Sequence, residues 1–154
     1  MIRVLFICHG NICRSTMAEF VFKDMVRKAG CAEDFYIESA ATSREEIGHD
    51  TDPRTKRKLE QHGIPYTKRR ARQITKNDYD KYDYIIAMDD SNVRDMSYII
   101  GEDSDSRVYK LLQFAGKARD ISDPWYTGDF DATYDDIIEG CEALLEHFRE
   151  EGVI

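Results

Sequence analysis

Near its start the chain carries Ile2–Ile7, a nearly continuous apolar run of the kind that forms a strand buried on both faces of a parallel sheet. The run stops at Cys8, and His9-Gly10-Asn11-Ile12-Cys13-Arg14-Ser15 leads directly into a helical pattern. Strand, short loop and helix in that order constrain the fold more than any other part of the sequence. They imply an α/β unit whose loop sits at the carboxyl end of the strand, where open α/β sheets hold their ligands.

The residue types in the loop point to one chemistry. Gly10 permits a positive φ or a close backbone approach, and Asn11 tolerates the left-handed region better than most residues. The segment can therefore curl so that backbone N–H groups from His9 through Ile12, Cys13 and Ser15 point inward as an anion nest. A helix beginning near Ser15 adds unpaired N–H groups and the positive end of its dipole. Arg14 offers a planar fork matched to two phosphate oxygens. The same positive field favours a thiolate at Cys8, and Ser15 can donate a hydroxyl hydrogen bond to its sulfur. A doubly charged oxyanion held beside a sulfur nucleophile is suited to removal of a phosphoryl group through a phosphocysteine intermediate.

A second motif supplies what that reaction still needs. A leaving alkoxide or phenolate requires a proton, and Asp123 in Asp123-Pro124-Trp125-Tyr126 is the best donor in the sequence. Pro124 holds Asp123 extended. Trp125 and Tyr126 can form an aromatic wall that stacks on a substrate ring. The same wall would desolvate Asp123 and favour its protonated form.

These segments resemble the low-molecular-weight protein tyrosine phosphatases, and the similarity extends over nearly the whole chain. Glu38-Ser39-Ala40-Ala41-Thr42, Asp52-Pro53-Arg54, Ala71-Arg72-Gln73-Ile74-Thr75 and Met88-Asp89-Asp90-Ser91-Asn92 also resemble family segments at similar spacing. The resemblance implies Cys8 as nucleophile, Arg14 as ligand of the phosphate and transition state, and Asp123 as general acid and then base. It implies that Asn11 and Ser39 belong to a hydrogen-bond network holding the loop. It implies a phosphotyrosine protein or peptide as substrate, with neither metal nor organic cofactor. It also implies that Cys13 can form a reversible disulfide with Cys8 that spares the nucleophile from irreversible oxidation.

The chain departs from the family pattern at four places. His9 replaces an apolar residue, and Thr16 replaces a proline, which should loosen the helix start slightly. Glu45 stands where an aromatic side chain usually lines the cleft opposite the Asp-Pro loop; a carboxylate there would repel acidic phosphopeptides. Arg69 stands where a histidine commonly braces the loop. Arsenate reductases share the fold, but their further cysteine relay is missing because no cysteine lies between Cys31 and Cys141. Phosphoarginine phosphatases tend to carry threonine where this chain has Ile12. A non-catalytic phosphopeptide-binding module would need neither Cys8 nor Asp123.

Composition agrees with a single domain over residues 1–154. Charged residues make up 34% and apolar ones 42%, so a packed core is expected. A formal net charge of −8 argues against nucleic-acid binding. The exception, Lys68-Arg69-Arg70-Ala71-Arg72, reads as a solvated loop, with a local patch for phosphoprotein as the functional alternative. No apolar run reaches membrane-spanning length and no secretory signal is expected. A cytoplasmic monomer or weak dimer follows, with no nucleic-acid or membrane partner. Cys141 lies on a helical stripe with Tyr134, Ile137, Ile138, Leu144, Leu145 and Phe148 and belongs to the core. Cys31, after Gly30, is structural or exposed.

Strand and helix signals alternate. A helix is expected from about Ser15 to Ala29 with Met17, Phe20, Val21 and Met25 inward, and strands at Phe35–Ala40, Tyr84–Met88 and Val108–Leu112. Asp52-Pro53 begins a helix that Gly63 stops, Asp90–Ile100 forms another ended by Gly101, and a last runs from Thr133 to Glu151. The expected fold is a doubly wound four-stranded parallel sheet, order 2-1-3-4, with helices on both faces and the phosphate-binding loop after strand 1.

Overall fold

The computed structural model describes residues 1–154. Strand β1 (Ile2–Cys8) pairs in parallel with β2 (Phe35–Ala41) along its whole length, from Ile2 opposite Phe35 to Cys8 opposite Ala41. On its other side it pairs with β3 (Tyr84–Ala87), and β4 (Val108–Lys110) forms the edge. The sheet order is β2-β1-β3-β4, the order expected from the sequence.

Side chains of β1 alternate between the two faces, and both faces are covered. Val4, Phe6 and Cys8 enter the larger core beneath α1 (Arg14–Lys28) and α6 (Phe130–Glu150). Leu5 and Ile7 enter a smaller core with Ile85 and with Met96 and Ile100 of α4 (Asp90–Ile100). This is why the strand shows no polar alternation. Each of Val4, Leu5, Phe6 and Ile7 is fully buried, worth on the order of 1.5–3 kcal/mol apiece.

The chain leaves β1 toward β2 on one side, while β3 lies on the other. The crevice at their carboxyl ends is therefore flanked by the loops after β1 and β3. Helix α2 (Pro53–Gln61) begins with Asp52 as its N-cap, the Asp52 carboxylate accepting from Arg54 N–H at 2.8 Å.

Several boundaries differ from the sequence expectation. β4 ends at Lys110, and Leu111–Ala115 winds into a 3-10 turn. Its entry is closed by the Gln113 side chain accepting from Lys110 N–H at 3.3 Å. Burial of Leu111 and Leu112 against α6 is compatible with either conformation, so hydropathy alone does not separate them. α6 starts at Phe130, three residues before the expected Thr133, because Asp129 caps it by accepting from Ala132 N–H at 2.9 Å. Two short helices, α3 (Asp78–Lys81) and α5 (Pro124–Thr127), are too brief to show a period. Met17, Phe20 and Val21 of α1 are buried as expected, whereas Met25 is only partly so, and Phe22 and Val26 complete the inward face. Gly140 of α6 allows a close approach: a Cβ there would overlap Leu111. No helix is long and apolar enough to cross a membrane.

Candidate active site

Asn11 anchors the loop after β1 from beneath. Asn11 has a φ of +59° and is fully buried. Its amide Nδ2 donates to Ser15 Oγ at 2.8 Å and to Ser39 Oγ at 2.9 Å. Its Oδ1 accepts from Arg72 N–H at 3.3 Å and from the Arg69 guanidinium. Ser39 in turn donates to the buried Glu19 carboxylate at 2.5 Å. Every polar atom of the Asn11 amide is thus engaged, which compensates for the left-handed backbone.

That network sets the surroundings of the Cys8 sulfur. Ser15 Oγ accepts from Asn11, which leaves its own hydrogen for Cys8 Sγ, 3.0 Å away. Ser15 N–H also points at the sulfur, at 3.4 Å. The expected positive φ falls on Asn11 and not on Gly10. Nor does Gly10 serve an unusually close approach: a Cβ there would meet Glu46 Cγ at 3.4 Å, an ordinary contact.

Arg14 is only 2% exposed, unusual for an arginine and consistent with a positioned guanidinium. Nη1 donates to Asp89 Oδ2 at 2.7 Å and to the Ile121 carbonyl at 2.8 Å. Nη2 reaches Asp123 Oδ2 at 3.3 Å. Burial opposes the Arg14 charge, but Cys8, Asp123 and Asp89 together outweigh it and hold the guanidinium ionised. Asp123 is extended, at φ −79° and ψ 114°, and its second oxygen caps α5 by accepting from Trp125 N–H at 3.0 Å. One aspartate therefore caps a helix and faces the arginine at once.

The cleft is lined by Cys8, Gly10, Ile12, Cys13 and Arg14 of the loop after β1, with His9 of the same loop at its rim. Glu45 and Glu46, and Asp123, Trp125 and Tyr126, complete its lining. His9 Nε2 lies 3.0 Å from Glu45 Oε2 at the exposed rim. Glu46 pairs with His49 at 2.5 Å. The structure thus gathers the sequence-nominated residues at one mouth, except Asn11, Ser15 and Ser39, which are buried behind it.

Cys13 is buried beside the loop as a free thiol. Burial first, then the charges of Asp52 and Cys8, push that thiol well above the ordinary cysteine range. Thr16 does not leave the helix start loose: its hydroxyl donates to the Cys13 carbonyl at 3.0 Å and lies 3.1 Å from that of Ile12. The basic run 68–72 is also not simply solvated. Arg69 reaches the loop through Asn11, and Arg72 pairs with Asp78 at 2.8 Å, while Lys68 and Arg70 face solvent. No cluster of three or more His, Cys, Asp or Glu side chains is arranged to hold a metal ion.

Sequence reasoning gave no role to Asp89, Glu46, Glu19 or Arg72. Asp89 carried the one usable signal, a helix N-cap position in front of Asp90–Ile100, where it accepts from Asn92 N–H at 2.7 Å. The other three are brought in by long-range packing.

Fold and site together define a doubly wound α/β protein with a buried cysteine and a clamped arginine at the loop after its first strand. The family model for low molecular weight phosphotyrosine protein phosphatase matches residues 3–153, and the chain belongs to that family. It is 38% identical to the low molecular weight protein-tyrosine-phosphatase YfkJ of Bacillus subtilis, with 98% of each chain covered. The crystal structure of YfkJ matches with a TM-score of 0.94, covering 98% of this chain and 96% of the other. The human low molecular weight phosphotyrosine protein phosphatase is 39% identical over 93% of each chain. A crystal structure of a Drosophila arginine phosphatase matches with a TM-score of 0.85 at 33% identity, covering 94% of this chain and 96% of that one.

Proposed function

We propose that this chain is a protein tyrosine phosphatase that hydrolyses phosphotyrosine in proteins or peptides through a phosphocysteine intermediate. The Cys8 thiolate attacks phosphorus, forming the S–P bond as the P–O bond to the tyrosyl oxygen breaks. Asp123 gives its proton to that leaving oxygen. Water then attacks phosphorus, Asp123 takes its proton, the S–P bond breaks, and phosphate leaves with the thiolate restored. Arg14 and the N–H groups of the loop hold the equatorial oxygens in both halves. Ser15 stabilises the sulfur as a leaving group.

The observation that carries this reading is the fixed guanidinium. Arg14 is held by Asp89 and the Ile121 carbonyl on the far side, so it enters the reaction already placed. Asn11 and Ser39 act as loop supports, while Glu45, Trp125 and Tyr126 shape the substrate mouth. Cys13 serves as the partner that captures oxidised Cys8 as a disulfide. The four cysteines are free thiols, which suits a reducing cytoplasm.

The test is turnover of a phosphotyrosine peptide beside a phosphoarginine peptide and arsenate, with Cys8→Ser as control. Phosphotyrosine hydrolysis that falls by about 10⁴-fold or more in Cys8→Ser supports the assignment. Faster turnover of phosphoarginine would reassign the substrate, and phosphopeptide binding without turnover would make the protein a binder.

A further inference from the structure

The acid-bearing loop carries the chain's single tryptophan, and the indole is 54% exposed. A ring this open needs something to fix it if it is to serve as a wall. The Arg54 guanidinium lies over it, with Cζ 5.4 Å from the Trp125 ring centroid and 4.8 Å from that of Phe130. The cation bridges two aromatic rings belonging to α5 and to the start of α6.

Arg54 is itself held. Asp52 Oδ1 accepts from its Nε at 3.1 Å and Asp52 Oδ2 from its Nη2 at 2.9 Å. Asp52 is buried, and its backbone N–H donates to the Ile12 carbonyl of the anion loop at 2.9 Å. A continuous line of contacts therefore runs from the anion loop through Asp52 and Arg54 to Trp125. Trp125 N–H then reaches Asp123.

We propose that Arg54 is a positioning residue that sets the Trp125 wall against the anion loop, and so favours aryl over alkyl phosphate monoesters. Only a planar guanidinium can bond the Asp52 carboxylate with two nitrogens and present its face to an indole at the same time. This rests on the phosphatase reading for its kinetic consequence, while the placement of Trp125 stands apart from it.

Because Trp125 is the only tryptophan, the indole signal reports the surroundings of that one ring. The experiment compares Arg54→Gln and Arg54→Lys with the unaltered protein in three measurements. These are indole anisotropy and acrylamide quenching, KM and kcat for phosphotyrosine and phosphoserine peptides, and inhibition by inorganic phosphate. Arg54→Gln should lower the anisotropy, raise the quenching, and raise KM for phosphotyrosine by about two- to fivefold. Phosphoserine kinetics and the phosphate inhibition constant should move less than about twofold, because phosphate touches the loop and not the wall. Arg54→Lys keeps the charge opposite Asp52 but loses the stacked plane, and should recover only part of the change; it carries the test if Arg54→Gln does not fold.

Unchanged anisotropy and KM in the variants would overturn the proposal. So would a phosphate inhibition constant that weakens in step with KM, since Arg54 would then act only by holding α2 and Ile12. If the unaltered protein turns over no phosphotyrosine, the functional reading fails, and the anisotropy still decides whether Arg54 holds Trp125.

Discussion

The floor of the cleft and its rim are built on opposite principles. On the floor, Cys8, Asn11, Arg14 and Ser15 are each 3% exposed or less, and their polar atoms are tied to one another, to Ser39 or to Asp89. At the rim, Tyr126 is 81% exposed, and the His9–Glu45 pair stands in solvent. Buried polar networks are costly when broken, whereas exposed pairs contribute little. On the proposed reading, floor residues set the reaction and rim residues set the preference among phosphoesters.

Four substitutions can break or sharpen that contrast. The largest effect is expected for Asp123→Ala, whose loss of a general acid should slow esters with poor leaving groups by about 10²–10⁴-fold. Esters with good leaving groups should suffer much less, and equal slowing in a leaving-group series would rule out the acid role. Next comes Asp89→Asn, which touches no substrate but removes the charge that holds Arg14 Nη1. Turnover should fall by roughly 10–10²-fold through misplacement of the guanidinium, while the far-UV spectrum and melting curve show an intact fold.

Asp78→Asn tests the support beneath the floor. Burial raises the Asp78 carboxyl, but its bonds from Arg72 and from Thr75 N–H outweigh that and hold it below the usual carboxylate range. A depressed folded value means the stabilisation is complete above the unfolded value of about 3.9 and is lost as pH falls through the folded one. Urea titrations should therefore show Asp78→Asn less stable by about 1.5–3 kcal/mol at neutral pH. The gap to the unaltered protein should close in acid, and a pH-independent gap would mean that the charge is not what matters.

The smallest effect belongs to the rim. Glu45→Gln should lower KM for a peptide with acidic residues beside the phosphotyrosine by about two- to fivefold, and added salt should erase the difference. An effect of Glu45→Gln as large as that of Asp89→Asn would dissolve the distinction between floor and rim.

The parts of the site that were legible in the sequence are those whose geometry is local. Cys8 through Ser15 form one strand–loop–helix passage, so the order of residues dictates which groups converge. The Asp-Pro pair likewise fixes the extended backbone of Asp123 and the cap of α5. The parallel sheet followed from the alternation of strand and helix patterns. Boundaries failed where packing and hydropathy allow more than one local conformation, as at Leu111 and Leu112, or where the element has a single turn, as at Asp78–Lys81.

Asp89 shows the other limit. The sequence marks it as a helix cap, and it is one, but its free oxygen meets Arg14 across 75 residues. Arg72 shows the same limit from the opposite side: within a basic run it reads as solvated, and folding turns it onto Asp78 and Asn11.

The sequence alone determined the strand-to-helix loop, its nucleophile and arginine, and the parallel sheet that carries them, because short-range sterics and residue periodicity act within a few residues. Tertiary structure alone decided that Arg14 is clamped between Asp89 and Ile121, that Asn11 is braced by Arg69, Arg72 and Ser39, and that Arg54 lies against Trp125. Those contacts join segments far apart in the chain. They form only when hydrophobic burial has brought the two ends of the sheet's crevice together.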